Sequence, residues 1–200
     1  MSSIHFIKSE LASAIARGVR QCVVIGSRPP VGEAFKNSPD QALQVFAVDE
    51  DQPSVSSATF VPAQFASEAL ATTLEKSHFD KRKASLFVWI GGAGYRTVDA
   101  IVAALGFIAS LPRGSGVVLD YAVERNSLAS LHTALDALAS RVCGAGGTVK
   151  HLIQPQAVAA MLRGLGFQHI IDFAQPDVAQ MDLAHEELPG SGAHLVSAVI

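Results

Sequence analysis

Apolar residues along this chain come in short unbroken runs separated by amphipathic stretches. That is the pattern of strands covered on both faces alternating with helices. Gln21-Cys22-Val23-Val24-Ile25-Gly26 is the first run and Leu43-Gln44-Val45-Phe46-Ala47-Val48 the second. Thr59-Phe60-Val61 predicts a brief third strand stopped by Pro62. Ala84-Ser85-Leu86-Phe87-Val88-Trp89 predicts a fourth, and Val117-Val118-Leu119, ending at Asp120-Tyr121, a fifth. Residues 167–173 and 193–200 predict a sixth and a seventh.

Between the runs the period changes to that of helices. Residues 9–17 have Ser9 as a cap and Gly18 as a stop. A short helix fits 31–36, with Pro29 and Pro30 acceptable only near its first turn. Ser67 caps a helix over 67–75 that carries Leu70 and Leu74 on one face. Thr97 caps 97–110, with Ile101, Ala104, Leu105 and Ile108 in register. Residues 128–142 predict a long amphipathic helix, and 155–163 a shorter one closed by Gly164. Strands and helices alternating in this way predict an α/β, doubly wound, mainly parallel sheet. Residues 182–188 form at best one helical turn, so no clear helix separates the last two strands. Without a crossover helix the closing strand is expected to run antiparallel.

The bulk numbers narrow the class. The 200 residues fit one domain over 1–200, able to bury roughly 70% of the surface of the unfolded chain. Hydrophobic residues make up 49% and charged ones 16%, which excludes a disordered chain. A net charge of -3 gives no electrostatic case for nucleic acid. Lys81-Arg82-Lys83, a short basic cluster, reads as a solvated face. Cys22 and Cys143 are too far apart in sequence for a disulfide framework, and the seven histidines show no i,i+4 pair, so no metal site is expected. No apolar run is long enough to span a membrane, and the N-terminus lacks signal-peptide architecture. A soluble, cytoplasmic protein with a small-molecule substrate is the expectation.

The chemistry is concentrated at two strand ends. An open parallel sheet binds nucleosides beyond the carboxyl ends of its strands. A small residue at the first turn lets backbone approach the ligand, and an acid after the second strand takes the ribose hydroxyls. Gly26 and Asp49, followed by Glu50, occupy those positions. A dinucleotide would need N–H groups of a glycine-rich helix start for its pyrophosphate. Here Gly26 is followed by Ser27, Arg28 and two prolines, which supply no N–H. S-adenosylmethionine has no phosphate and tolerates such a turn better.

These residues resemble the leucine carboxyl methyltransferase family of class I S-adenosylmethionine-dependent methyltransferases, over nearly the whole chain. Gly18-Val19-Arg20-Gln21-Cys22-Val23-Val24-Ile25-Gly26 is similar to the family's glycine-x-arginine-glutamine run into its first strand. Val45-Phe46-Ala47-Val48-Asp49 with Pro53, then Phe60-Val61-Pro62, match the second and third strands. Trp89, Gly91, Tyr95 and Thr97 fall in register with the tryptophan-glutamate-glycine…tyrosine-leucine-threonine segment. Gly114-Ser115-Gly116, Asp120-Tyr121 and Leu162-Arg163-Gly164-Leu165-Gly166-Phe167 complete the series. The resemblance implies a seven-stranded Rossmann-like sheet with an antiparallel last strand, and O-methylation of a small molecule or carboxylate. By resemblance Gly26 passes under the methionine part of the cofactor, Asp49 bonds the ribose, and Trp89 and its neighbours line the transfer pocket.

Several positions depart from the family. The first turn lacks the second glycine, the aspartate and the arginine of the family pattern. Gln64 stands where the adenine-binding aspartate is found, and Ile90 replaces a glutamate. The family's N-terminal lid is expected to be largely absent. Arg28 is a candidate partner for the cofactor carboxylate, Gln64 for adenine, and Tyr95 and Asp120 for the substrate. A shortened lid would leave apolar surface for a partner chain, hence an expected homodimer. No catalytic acid or base is assigned, since transfer from a sulfonium needs mainly an in-line nucleophile and a dry site. A non-catalytic, methyltransferase-like binding or scaffold domain is the alternative.

Overall fold

Seven of the apolar runs meet in one sheet. The computed structural model describes residues 3–26, 35, 42–50, 58–63, 69–90, 97–124, 154–175 and 191–200. In chain order its elements are α1 (Ser3–Ala16), β1 (Gln21–Ile25), β2 (Gln44–Asp49), β3 (Thr59–Pro62), α2 (Leu70–Glu75), β4 (Ser85–Trp89), α3 (Val98–Ala109), β5 (Gly116–Glu124), α4 (Pro155–Gly164), β6 (His169–Gln175) and β7 (Ser191–Val199). The helix expected over 128–142 and the turn over 182–188 lie outside the described residues, as does nearly all of the short helix expected over 31–36.

The strands lie in the order β3-β2-β1-β4-β5-β7-β6. The order reverses between β1 and β4, and all pairings from β3 to β5 are parallel. β7 inserts between β5 and β6 and runs antiparallel to both, the direction expected from the lack of a clear helical pattern in the sequence before it. Pro62 ends β3 on the sheet edge, where its missing N–H costs no ladder bond.

Alternation along the strands divides the core in two. Val23, Phe46, Phe87, Trp89, Val117 and Val196 face α3 and α4 and share a cluster with Leu105, Ile108, Val158 and Leu162. Cys22, Val24, Val45, Leu86, Val88 and Val118 face the other way, onto Ile7, Leu11 and Ala14 of α1. Burying a side chain of this size stabilises by about 1.5–3 kcal/mol. Burial also pushes the Cys22 thiol well above its ordinary value, which keeps it an inert core residue.

Several helix and strand ends differ from the sequence expectations: β6 starts and stops two residues later than 167–173, β7 covers Ser191–Val199 rather than 193–200, and four further ends have a reason in their surroundings. α1 begins at Ser3, and Ser9 lies exposed within it, because Ile4, Ile7, Leu11 and Ala14 already form one buried stripe. α2 begins at Leu70 with Ala69 before it and no side-chain cap, so the Ser67 cap is not seen among the described residues. α4 runs through Gly164 and stops at Gly166 (φ +103°), where Gly166 N–H bonds to the Arg163 carbonyl and Phe167 N–H to that of Leu162. That six-to-one and five-to-two pair needs a left-handed residue one step past the helix, and Gly166 is the one placed there. β5 continues to Glu124 because β7 pairs with it along its whole length. Thr97 caps α3 as expected, its Oγ1 accepting the Ala100 N–H at 3.2 Å. Thr97→Ala should cost about 1 kcal/mol, measurable as a lower urea midpoint with unchanged slope.

Candidate functional site

Register brings the sequence-predicted strand ends side by side. Ile25 pairs with Val48 on one flank and with Trp89 on the other, and Trp89 pairs with Leu119. The next positions outward are Asp49, Gly26, Ile90 and Asp120, one from each of four adjacent parallel strands. Alternation puts these four on the α1 face of the sheet at its carboxyl edge. From the strand of Asp49 to that of Asp120 is three strand spacings, about 14 Å.

Gly26 is the hinge of this row. Its N–H donates to the Val48 carbonyl at 3.0 Å, so the chain leaving β1 stays hydrogen-bonded to the end of β2. Its φ is +81°, a conformation that only glycine adopts cheaply. A Cβ there would sit 3.6 Å from the Ile90 carbonyl oxygen, an ordinary contact. The requirement for glycine is therefore conformational rather than steric. Gly26→Ala should cost about 1–2 kcal/mol and displace the bend, giving a matching drop in thermal stability.

Asp49 is half-buried at the end of β2. Its carboxylate is oriented by the Glu50 N–H, which donates to Oδ1 at 2.7 Å, while its carbonyl accepts the Ala63 N–H at 2.9 Å. Glu50 itself is exposed. Trp89 is 2% exposed and packs in the cluster facing α3 and α4, so the described surroundings account for the indole by packing. Ile90, at the family's glutamate position, is buried against the α1 cluster. Asp120 is half-buried and pairs with Leu195 of β7. Ser27, Arg28, Gln64 and Tyr95 lie outside the described residues.

A second constellation was not anticipated from sequence. The Tyr121 hydroxyl donates to Oδ2 of Asp172, and Nδ1 of His194 lies 2.6 Å from Oδ1 of the same carboxylate. The Tyr121 and His194 rings are 5.6 Å apart. Burial first, then the hydrogen bond to Asp172 and its negative charge, push the Tyr121 phenol well above its ordinary value. Tyr121 therefore remains the proton donor to Asp172 across the whole working pH range. The three residues come from β5, β6 and β7, and only the β5-β7-β6 order brings them together. The sequence signal was confined to Tyr121 following Asp120.

No family model and no curated protein matches the chain by sequence. Solved structures do match by fold. A SAM-dependent methyltransferase from Archaeoglobus fulgidus superposes with a TM-score of 0.60 at 14% identity, over 100% of this chain and 95% of that one. A DUF574 family protein from Streptomyces avermitilis gives 0.59 at 17% identity, over 98% and 80%. The fold is the Rossmann-like fold of these methyltransferases. Human N-acetylserotonin methyltransferase in complex with SAM is similar at a TM-score of 0.52 and 13% identity, with 98% of this chain matching 55% of that one. In this methyltransferase fold the row from Asp49 to Asp120 lies at the carboxyl edge, where the strand order reverses.

Proposed function

We propose that the chain is an S-adenosylmethionine-dependent methyltransferase that methylates an oxygen of a small molecule. The observation that carries this reading is the Gly26 bend held against Val48 beside the half-buried carboxylate of Asp49, at the switch point of the sheet. The donor set fits the nucleoside: the Asp49 carboxylate is of the type that accepts from vicinal hydroxyls, and the positive φ of Gly26 bends the chain at the adjacent strand end. Similarity of fold to methyltransferases supports the reading, as does the ordered series of residues resembling the leucine carboxyl methyltransferase family. When bound, the cofactor supplies an electrophilic methyl group with a neutral leaving thioether. The chain's own part is to bind and orient. Asp49 would hold the ribose, and Gly26 would pass beneath the amino-acid end. Arg28 and Gln64 are proposed for the cofactor's carboxylate and adenine, and Tyr95 and Asp120 for the substrate side. A homodimer, in which a partner chain would close the cofactor cleft, is also proposed.

Calorimetric titration with S-adenosylmethionine and S-adenosylhomocysteine tests the reading. Saturable heat at micromolar ligand is expected, with a rise in melting temperature that grows with ligand concentration. No heat at millimolar ligand would leave the fold standing and remove the function.

A further inference from the structure

We propose that a second copy of this chain docks along the outer side of β6, the two β6 strands pairing antiparallel about a twofold axis at Ile171. The contact would form whether or not the chain is a methyltransferase. The two edges of the sheet are built differently. β3 is four residues long and Pro62 ends it, so it offers a short ladder with one donor missing. β6 runs for seven residues, His169-Ile170-Ile171-Asp172-Phe173-Ala174-Gln175, and among the described residues β7 is its one neighbour. It holds no proline, glycine or lysine, the residues that commonly keep an edge strand from pairing.

The one acid of β6 does not guard the edge either. Oδ2 of Asp172 accepts from the Tyr121 hydroxyl and Oδ1 lies 2.6 Å from Nδ1 of His194, so the carboxylate is drawn inward over β7 and β5. Ile171 is the apolar centre of the strand. Register sets it opposite Ser197 of β7, on the α1 face, yet it is 52% exposed, more than any other large hydrophobic residue among those described. Two residues along the same face Phe173 is half-buried and stacks on Phe6 of α1, with ring centroids 5.5 Å apart. Helix α1 thus shelters the carboxyl end of β6 and leaves Ile171 open.

A strand added to this edge would pair its outer backbone groups and cover the flank of the isoleucine. A second copy is the occupant that the strand's own sequence fits. A twofold axis normal to the sheet keeps the α1 faces of both copies on one side, so odd-numbered residues meet odd and even meet even. Centred at Ile171, it sets Ile171 against the partner's Ile171, His169 against the partner's Phe173 and Ile170 against the partner's Asp172, with no like charges opposed. Centred one residue on, it would oppose two carboxylates. The contact closes at two chains and uses both open β6 edges at once. Seven residues a side are fewer than the about 20–30 of a standard interface, so the pair is expected at micromolar rather than nanomolar concentration. β6 lies two places beyond β5, so this contact leaves the row from Asp49 to Asp120 uncovered and differs from one that closes the cofactor cleft.

Two measurements on the full chain decide this. Light scattering of the wild type should give the mass of two chains at about 200 μM, falling toward one chain on dilution. Ile171→Lys places two like charges at the twofold axis and should raise the dissociation constant at least about tenfold. Phe60→Lys makes the same change at the β3 edge and should leave the wild-type dimer intact. Hydrogen exchange of the wild type then locates the contact without a variant. Amides of 169–175 should exchange more slowly at about 200 μM than at about 2 μM, and those of 59–61 equally fast at both. A single-chain mass at every concentration overturns the proposal. So does a dimer that survives Ile171→Lys or is lost in Phe60→Lys, and so does concentration-dependent protection of 59–61 in place of 169–175. A dimer indifferent to Ile171→Lys but altered by saturating S-adenosylhomocysteine would assign the contact to the cleft instead.

Discussion

Asp49→Ala is expected to weaken S-adenosylhomocysteine binding by about 100-fold or more while leaving the fold nearly as stable as before. A hydrogen bond to a charged group contributes about 1.5–3 kcal/mol, and the ribose offers two hydroxyls to this carboxylate. Losing both at the lower figure is about 3 kcal/mol, or about two decades in affinity. Stability should change by only about 0.5 kcal/mol, because the side chain is half-buried and the carbonyl bond to Ala63 remains. Asp49→Asn keeps an oxygen for the Glu50 N–H but no charge, so its loss should be intermediate, about tenfold. Calorimetry paired with thermal denaturation reads both quantities. Wild-type affinity in Asp49→Ala would mean that the carboxylate does not meet the ligand.

The split between what was legible and what was not follows the range of the interactions. Strands buried on both faces announce themselves as continuous apolar runs, so β1, β2 and β4 were readable to within a residue. Thr97 was readable because capping is settled within four residues. The row from Asp49 to Gly26 needed one further step, the parallel pairing of neighbouring strands, which the βαβ rule supplies. Helix α1 was cut short because Ser9 resembles a cap, while the stripe of Ile4, Ile7 and Leu11 depends on the sheet beneath it. Tyr121, Asp172 and His194 were out of reach. They lie 51 and 22 residues apart in the chain, and each looks ordinary alone. Only the insertion of β7 between β5 and β6 joins them, and no local pattern encodes strand order.

The same logic gives Gln21 a role that its place in the family-like run did not explain. Gln21 is 1% exposed at the start of β1. Its Nε2 donates to the Asp80 carbonyl at 2.9 Å and to Ser85 Oγ at 3.1 Å, while its Oε1 accepts the Asp80 N–H at 2.9 Å. One amide thus holds both backbone groups of the residue that leads into β4. Asp80 uses its own carboxylate to hold Arg82, whose guanidinium keeps that carboxyl below its usual range. The basic cluster expected as a solvated face is indeed exposed, and it is tied locally to this turn. The amide therefore fixes the sheet's amino edge, at the other end of β1 from Gly26.

Gln21→Glu should destabilise the protein by about 2–4 kcal/mol at neutral pH, and by far less in acid. A protonated glutamic acid has nearly the shape of glutamine: one oxygen can accept the Asp80 N–H, and the O–H can donate to the Asp80 carbonyl. Ionised, it keeps the first bond, loses the second and places a charge against a carbonyl in a buried site. Burial of the carboxylate raises its folded-state value above the ordinary 4.3 or so of glutamate. The stabilising, protonated form is complete below that ordinary value. The deficit then grows as pH rises, until the folded protein itself ionises. Gln21→Met, which cannot bond at any pH, should cost about 2–3 kcal/mol uniformly, from two orphaned backbone groups. Urea melts of the three proteins between pH 4 and 7.5 separate the cases. A pH-independent deficit in Gln21→Glu would show that the site is wet and that Asp80 finds water in place of the side chain.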